Sequence, residues 1–195
     1  MREKDFKEVE DRAQRVISKT TDKKLLTDAY SLLSSVYKNQ QRYDLSDKTY
    51  LKIIEIEPKS PWASINYSRF LISRGDYDKA IDYGKKALAL MDFPMGHTVL
   101  GEAYYEKGVD LFWKKKQPNE SKEYFALAIQ HDPRNPNAYY GLGVSLYHVG
   151  HTGKNVAELV KAEEALTKAI KLKADHEEAK ETLASVRQLL AKVRK

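Results

Sequence analysis

The stretch Thr27-Asp-Ala-Tyr30-Ser-Leu-Leu33-Ser34-Ser-Val-Tyr37 sets large and small residues on two faces of one helix. Ser46, Tyr50 and Ile53 continue the alternation on a second helix, and Pro58 closes the unit. Proline has no backbone N–H and clashes with the preceding turn, so the helix cannot run on. The pattern restarts 34 residues later at Pro61-Trp62 and runs through Tyr67, Ser68, Leu71, Ala80, Ala87 and Leu88. Between its halves, Arg74-Gly75-Asp76-Tyr77 reads as a helix stop followed by a restart. Self-similarity at such a period marks a stacked repeat array, in which each helix pair buries its apolar face against the next.

Two further units follow. Their first helices carry Leu100-Gly101-Glu-Ala-Tyr104-Tyr-Glu-Lys-Gly108 and Tyr139-Tyr-Gly-Leu142-Gly143-Val-Ser-Leu146-Tyr-His-Val-Gly150. Their second helices carry Ser121 through Phe125, Ala128 and Asp132-Pro133, and Ala162 through Leu166, Ala169 and Ala174. Over residues 27–175 this pattern resembles the tetratricopeptide repeat, whose helix A carries an aromatic, Leu-Gly and Tyr, and whose helix B carries Ala, an aromatic, Ala and Pro. The resemblance implies an all-α fold: a TPR-type α-solenoid of antiparallel helix hairpins, with about four repeats and capping helices at both ends. The expected division is an N-terminal cap over 1–26, repeats over 27–60, 61–93, 94–135 and 136–175, and a C-terminal cap over 176–195. Small residues at position eight (Ser34, Ser68, Gly101, Gly143) and at position twenty allow close helix approach, while aromatics fill the space between hairpins.

Two units depart from the standard length. Ser34 to Pro58 is 24 residues, Gly101 to Pro133 is 32, and Gly143 to Ala174 is 31. At about 3.6 residues per turn the surplus predicts roughly one added turn on each helix of both hairpins. The two extensions are expected to pack on each other, with Val109, Leu111, Phe112 and Trp113 as a satellite core or a contact patch. Phe6, Val9, Ala13, Val16 and Ile17 predict a helix over 3–19, and Ala179, Leu183, Val186 and Leu190 a final helix with a polar outer side. Read this way, the array is expected to be complete.

Composition narrows the function. There is no cysteine, which excludes disulfides, thiolate metal sites and cysteine nucleophiles. No apolar run approaches the roughly 20 residues that span a bilayer, and the start of the chain mixes acids with bases, so a soluble, cytoplasmic protein is expected. The net charge of +6 comes from 34 bases and 28 acids that are interleaved, which disfavours nucleic acid. Two basic clusters stand out, Lys114-Lys115-Lys116 and the tail Arg187, Lys192, Arg194 and Lys195. His148 and His151 lack a third ligand, Gly150-His-Thr-Gly153-Lys154-Asn155 fails as a phosphate loop, and no carboxylate pair is matched as acid and base. No catalytic residue, metal or cofactor is expected.

In tetratricopeptide arrays the concave face is lined by helix A positions two, five, nine, twelve and thirteen. By resemblance these are Trp62, Ile65, Arg69 and Ile72 in the second unit, with Asn66 beside them. The third contributes Met95, Thr98, Glu102 and Tyr105, and the fourth Asn137, Tyr140, Val144, Tyr147 and His148. This floor of aromatic and aliphatic residues suits a partner's helix or an extended apolar peptide. Co-chaperone members clamp a C-terminal carboxylate with Lys, Asn and Arg. Here only Asn66 matches, while Ser31, Ser35, Met95 and Val99 hold the other places, and Met and Val donate no hydrogen bond. The expected function is a non-enzymatic adaptor or scaffold that binds a protein or peptide. The alternatives are nucleic acid or an acidic surface met by the basic clusters, and self-assembly into a homo-oligomer through the long hairpins.

Overall fold

Capping residues set the helix limits. In the computed structural model, which describes residues 3–193, Asp22, Ser60, Asn135 and Asn155 each accept a backbone N–H at the start of a helix. Proline opens four helices, where its missing N–H costs nothing, and Gly75 ends one at φ 78°, a left-handed turn that favours glycine. The described residues form ten α-helices, one π turn and no strand. The order is α1 (Glu3–Ile17), α2 (Lys23–Asn39), α3 (Tyr43–Ile56), α4 (Pro61–Arg74), α5 (Tyr77–Leu90), α6 (Pro94–Val109), the π turn (Asp110–Lys114), α7 (Pro118–His131), α8 (Pro136–Thr152), α9 (Val156–Leu172) and α10 (Glu177–Val193). Arg194 and Lys195, the end of the basic tail, lie outside the described residues.

Helices pair in chain order as α2/α3, α4/α5, α6/α7 and α8/α9, with α1 packed on α2 and α10 on α9. This is an all-α solenoid of helical hairpins with a helix covering each end. In the first two hairpins, position eight meets position twenty through a buried serine. Ser46 Oγ donates to the Ser34 carbonyl at 3.0 Å, and Ser68 Oγ donates to the Ala80 carbonyl at 2.7 Å. The donor sits on the second helix in one hairpin and on the first in the other, so the same close contact is sealed from opposite sides.

The last hairpins use glycine. A Cβ on Gly141 would stand 2.5 Å from the Phe125 ring, and one on Gly143 2.6 Å from Leu166. Phe125 and Leu166 are fully buried, so neither has room to retreat.

The extra length is distributed unequally, contrary to the expectation of one added turn per helix. In the fourth hairpin α8 and α9 both have 17 residues, against 14 for α4 and α5, which fits that expectation. In the third, α7 keeps 14 residues, and α6, of 16 residues, runs directly into the five-residue π turn. The first helix thus carries the surplus and ends in i→i+5 bonding, with Lys115 N–H reaching the Asp110 carbonyl at 3.0 Å. Because α6 is longer than its partner, Gly108 and not Gly101 meets the Phe125 ring, with a Cβ position only 2.9 Å from it. The extension does pack on its neighbour: the Phe112 ring lies 5.1 Å from His148 of α8 and 4.5 Å from Trp113.

Gly141→Ala and Gly143→Ala each force a methyl into a filled contact. A loss of about 1–3 kcal/mol is expected from overpacking, reduced by up to about 1 kcal/mol through better helix propensity. Urea unfolding of each variant checks this; unchanged midpoints would mean that these helix contacts are looser than described.

Candidate functional site: the concave groove

The even helices α2, α4, α6 and α8 line one face. Between α4 and α6 branched and aromatic side chains fill the contact, with Ile65 packed among Ala87, Phe93 and Val99. Between α2 and α4 they do not. There α2 presents Thr27, Ser31, Ser35 and Lys38, and these residues are too small or too polar to reach across. α2 therefore does not pack along α4 as α6 does, and a cleft of about 650 Å³ opens between them. Tyr50, Ile53 and Phe70 form its floor, and Trp62, Asn66, Arg69, Ile72, Ser73 and Glu102 its other wall. Trp62 is 47% exposed, its ring 4.9 Å from Phe93. Lys38, Asn66 and Arg69 make no side-chain hydrogen bond or ion pair, so the cleft holds unpaired donors beside an exposed aromatic ring.

A second cavity of about 290 Å³ lies further along the same face, lined by Tyr105, Val109, Trp113, Asn137, Tyr140, His176 and Glu178. The groove is open. α1 lies against α2 through Phe6, Val9, Ala13 and Ile17, and α10 against α9, so neither end helix fills the N-terminal cleft. From the start of α10, His176 and Glu178 line the second cavity, and Thr182 hydrogen-bonds Tyr140 beside it.

Paired helices that bury small residues between them and expose a lined concave face are what the comparisons also recover. Family models described as tetratricopeptide repeat match residues 27–60 and 101–135, and a second such model matches residues 49–82. The chain is a tetratricopeptide-repeat protein. Among solved structures, the crystal structure of MamA protein superimposes with a TM-score of 0.60 at 22% identity, covering 85% of each chain. MamA from residue 41 onward of Desulfovibrio magneticus RS-1 gives 0.52 at 23% identity, covering 84% of this chain and 94% of that one. At that identity the likeness concerns the fold alone. No curated protein sequence matches the chain.

The match over 101–135 starts seven residues inside α6. Its frame puts Gly108 at position eight, in agreement with the Gly108–Phe125 contact. In that frame positions two, five, nine and thirteen of the third tetratricopeptide unit are Glu102, Tyr105, Val109 and Trp113. Three of these four line the second cavity.

The expected groove residues therefore divide. Trp62, Asn66, Arg69, Ile72 and Glu102 share the N-terminal cleft, and Tyr105, Asn137 and Tyr140 share the second cavity. Met95 and Thr98 are exposed on the first turns of α6, outside both, and Tyr147 and His148 lie beyond them beside His151 and Phe112. Ile65 and Val144 must be corrected from groove to core. Ile65 is 0% exposed because α6 packs against that side of α4, and Val144 is buried because Gly141 and Gly143 draw that turn of α8 inward. Ser31, Ser35 and Lys38 occupy positions five, nine and twelve of the first unit, so the repeat register marks them even though no apolar pattern does. His176, Glu178 and Trp113 had no such signal in the 94–135 frame.

Part of the basic clusters is tied down. Lys114 and Lys115 both reach Asp110, at 3.3 and 3.1 Å, and these hydrogen-bonded ammonium groups hold its carboxyl below the usual range. Arg187 Nε donates to Glu163 at 2.7 Å. Among the described residues no group of three or more potential ligands is placed to hold a metal ion, and no helix is long and apolar enough to cross a membrane.

Two histidines carry a pH signature. His131 contacts His97 Nδ1 to Nδ1 at 2.9 Å, and burial, then His97 and Lys85, push its pKa down. His148 is pushed down by burial, then by His151 and Lys116. Both bind a proton more weakly folded than unfolded. Stability is therefore full above the unfolded value near 6.5 and falls as pH drops from there through the folded values. Glu106, raised by burial and Glu102, acts in the opposite direction but only in the carboxylate range. Urea midpoints should fall between pH 7.5 and 5.5, and the doubly substituted H131Q/H148Q protein should show a flatter profile; an unchanged slope would refute the assignment.

Proposed function

We propose that the chain is a non-enzymatic adaptor that holds an extended or helical segment of a partner protein on its concave face. The observation that carries this reading is the open N-terminal cleft, which exposed Trp62 lines together with the unpartnered donors Lys38, Asn66 and Arg69. A ring that can bury its face, flanked by groups that can meet carbonyl or carboxylate oxygens, is the composition of an interface hot spot. The tetratricopeptide scaffold supports a protein partner in general; the cleft supports this location for it. The lining carries both signs, Lys38 and Arg69 against Glu57 and Glu102, which suits a segment whose acidic residues lie over Lys38 and Arg69.

Trp62→Ala and Arg69→Ala, made together in the full chain, test the reading. Both side chains are exposed, so melting curves should change little. Partner capture in a pull-down is expected to fall about ten-fold or more, as for loss of a central aromatic anchor. Capture equal to that of the parent protein would rule out this cleft.

A further inference from the structure

The second cavity has a chemistry of its own. Its walls are aromatic rings from three separate elements: Tyr105 on α6, Trp113 on the π turn and Tyr140 on α8. Trp113 is 40% exposed although it belongs to an otherwise apolar extension. At the rim stands the exposed carboxylate of Glu178, and behind it His176, only 5% exposed, with its ring 4.8 Å from that of Tyr140.

The histidine defines what is missing. Its Nδ1 lies 3.0 Å from Glu178 Oε2. A carboxylate only accepts, so Nδ1 carries a proton, and in the tautomer with that single ring proton Nε2 is an acceptor. That buried Nε2 has no partner. A buried acceptor without a donor costs free energy that an incoming N–H recovers.

The charges around the cavity agree. Beside the hydrogen bond of Thr182, Glu178 and Glu181 act on Tyr140, and Glu106 acts on Tyr105. Of the nearby bases, Lys114 is tied to Asp110, and Lys173 is exposed on the loop before α10. The starts of α8 and α10 do not ask for an anion. Asn135 Oδ1 takes the N–H groups of Asn137 and Ala138, and the Glu178 carboxylate takes its own backbone N–H.

We infer that this cavity is a cation-accepting pocket that receives one arginine or lysine side chain of the partner segment, held by the rings of Tyr105, Trp113 and Tyr140, the carboxylate of Glu178 and the free Nε2 of His176. Aromatic rings attract a cation through their quadrupole, and a carboxylate at the rim completes its neutralisation. The volume lies just under the range of small-molecule sites, so it fits a side chain better than a whole ligand. The inference deepens the reading of the concave face as a peptide groove and rests on it only for the origin of the cation.

A titration of the full chain with Nα-acetyl-arginine amide, followed by NMR at the Trp113 indole and the His176 ring, tests the pocket without any partner. Saturable shifts at both are expected in the millimolar range proper to a single side chain. Nα-acetyl-citrulline amide, equal in shape but uncharged, should produce none at the same concentrations. Glu178→Gln, an exposed change that spares the fold, and Trp113→Ala should each weaken the arginine response at least five-fold. Equal response to citrulline, preference for Nα-acetyl-glutamate amide, or no shift through about 50 mM would overturn the pocket. Such a failure, with capture still lost in the Trp62 and Arg69 variant, would leave the adaptor reading standing; the converse would leave the pocket standing without it.

Discussion

The whole array depends on how closely the two helices of a hairpin approach. Ser34 and Ser46 in the first hairpin, and Ser68 and Ala80 in the second, bring backbone within reach of a side-chain hydroxyl, and the bonds of 3.0 and 2.7 Å hold it there. Gly143 does the same for α8 by leaving no Cβ to collide with Leu166 of α9, and Gly141 lets α8 approach Phe125 of the preceding hairpin in the same way. Close pairing within hairpins then lets large residues work between them. Phe70, Leu100, Phe125 and Leu166 are buried almost completely, Phe70 and Leu100 in one core cluster and Leu166 in another.

Against that uniform pairing, the contacts between successive first helices vary, and function resides in the variation. Where α4 meets α6, Ile65, Phe93 and Val99 close the gap. Where α2 meets α4, hydroxyls and long cationic side chains leave it open. An open gap costs little when its lining is polar, because water satisfies it until a partner displaces the water. The same scaffold thus supplies a closed seam and a binding cleft through side-chain volume alone.

The long α6 is the other local departure. It runs on into a π turn, and this carries Trp113 onto the concave side while Phe112 turns towards His148. Asp110 pins the turn by taking both Lys114 and Lys115, which also removes most of the basic cluster from service as a free patch. A residue set that reads as a solvent-facing charge run is in this way part of what positions an aromatic ring.

Helix periodicity, the proline and glycine punctuation and the 34-residue spacing of small residues determined the fold class and the helix order, because each is a local rule of backbone and packing that needs no partner to act. The same register placed Trp62, Asn66, Arg69, Tyr105 and Tyr140 on the concave face. Sequence alone did not decide how the surplus residues of the third hairpin divide, since an added turn on each helix and a π turn on one satisfy the same count. Only the tertiary structure decided that, through the contact of Gly108 with Phe125. It also decided that Ile65 and Val144 are core, that α2 stands off from α4, and that His176 and Glu178 join Trp113 across more than 60 residues of chain. These outcomes depend on which side-chain volumes meet across helices distant in sequence, and no local pattern records that.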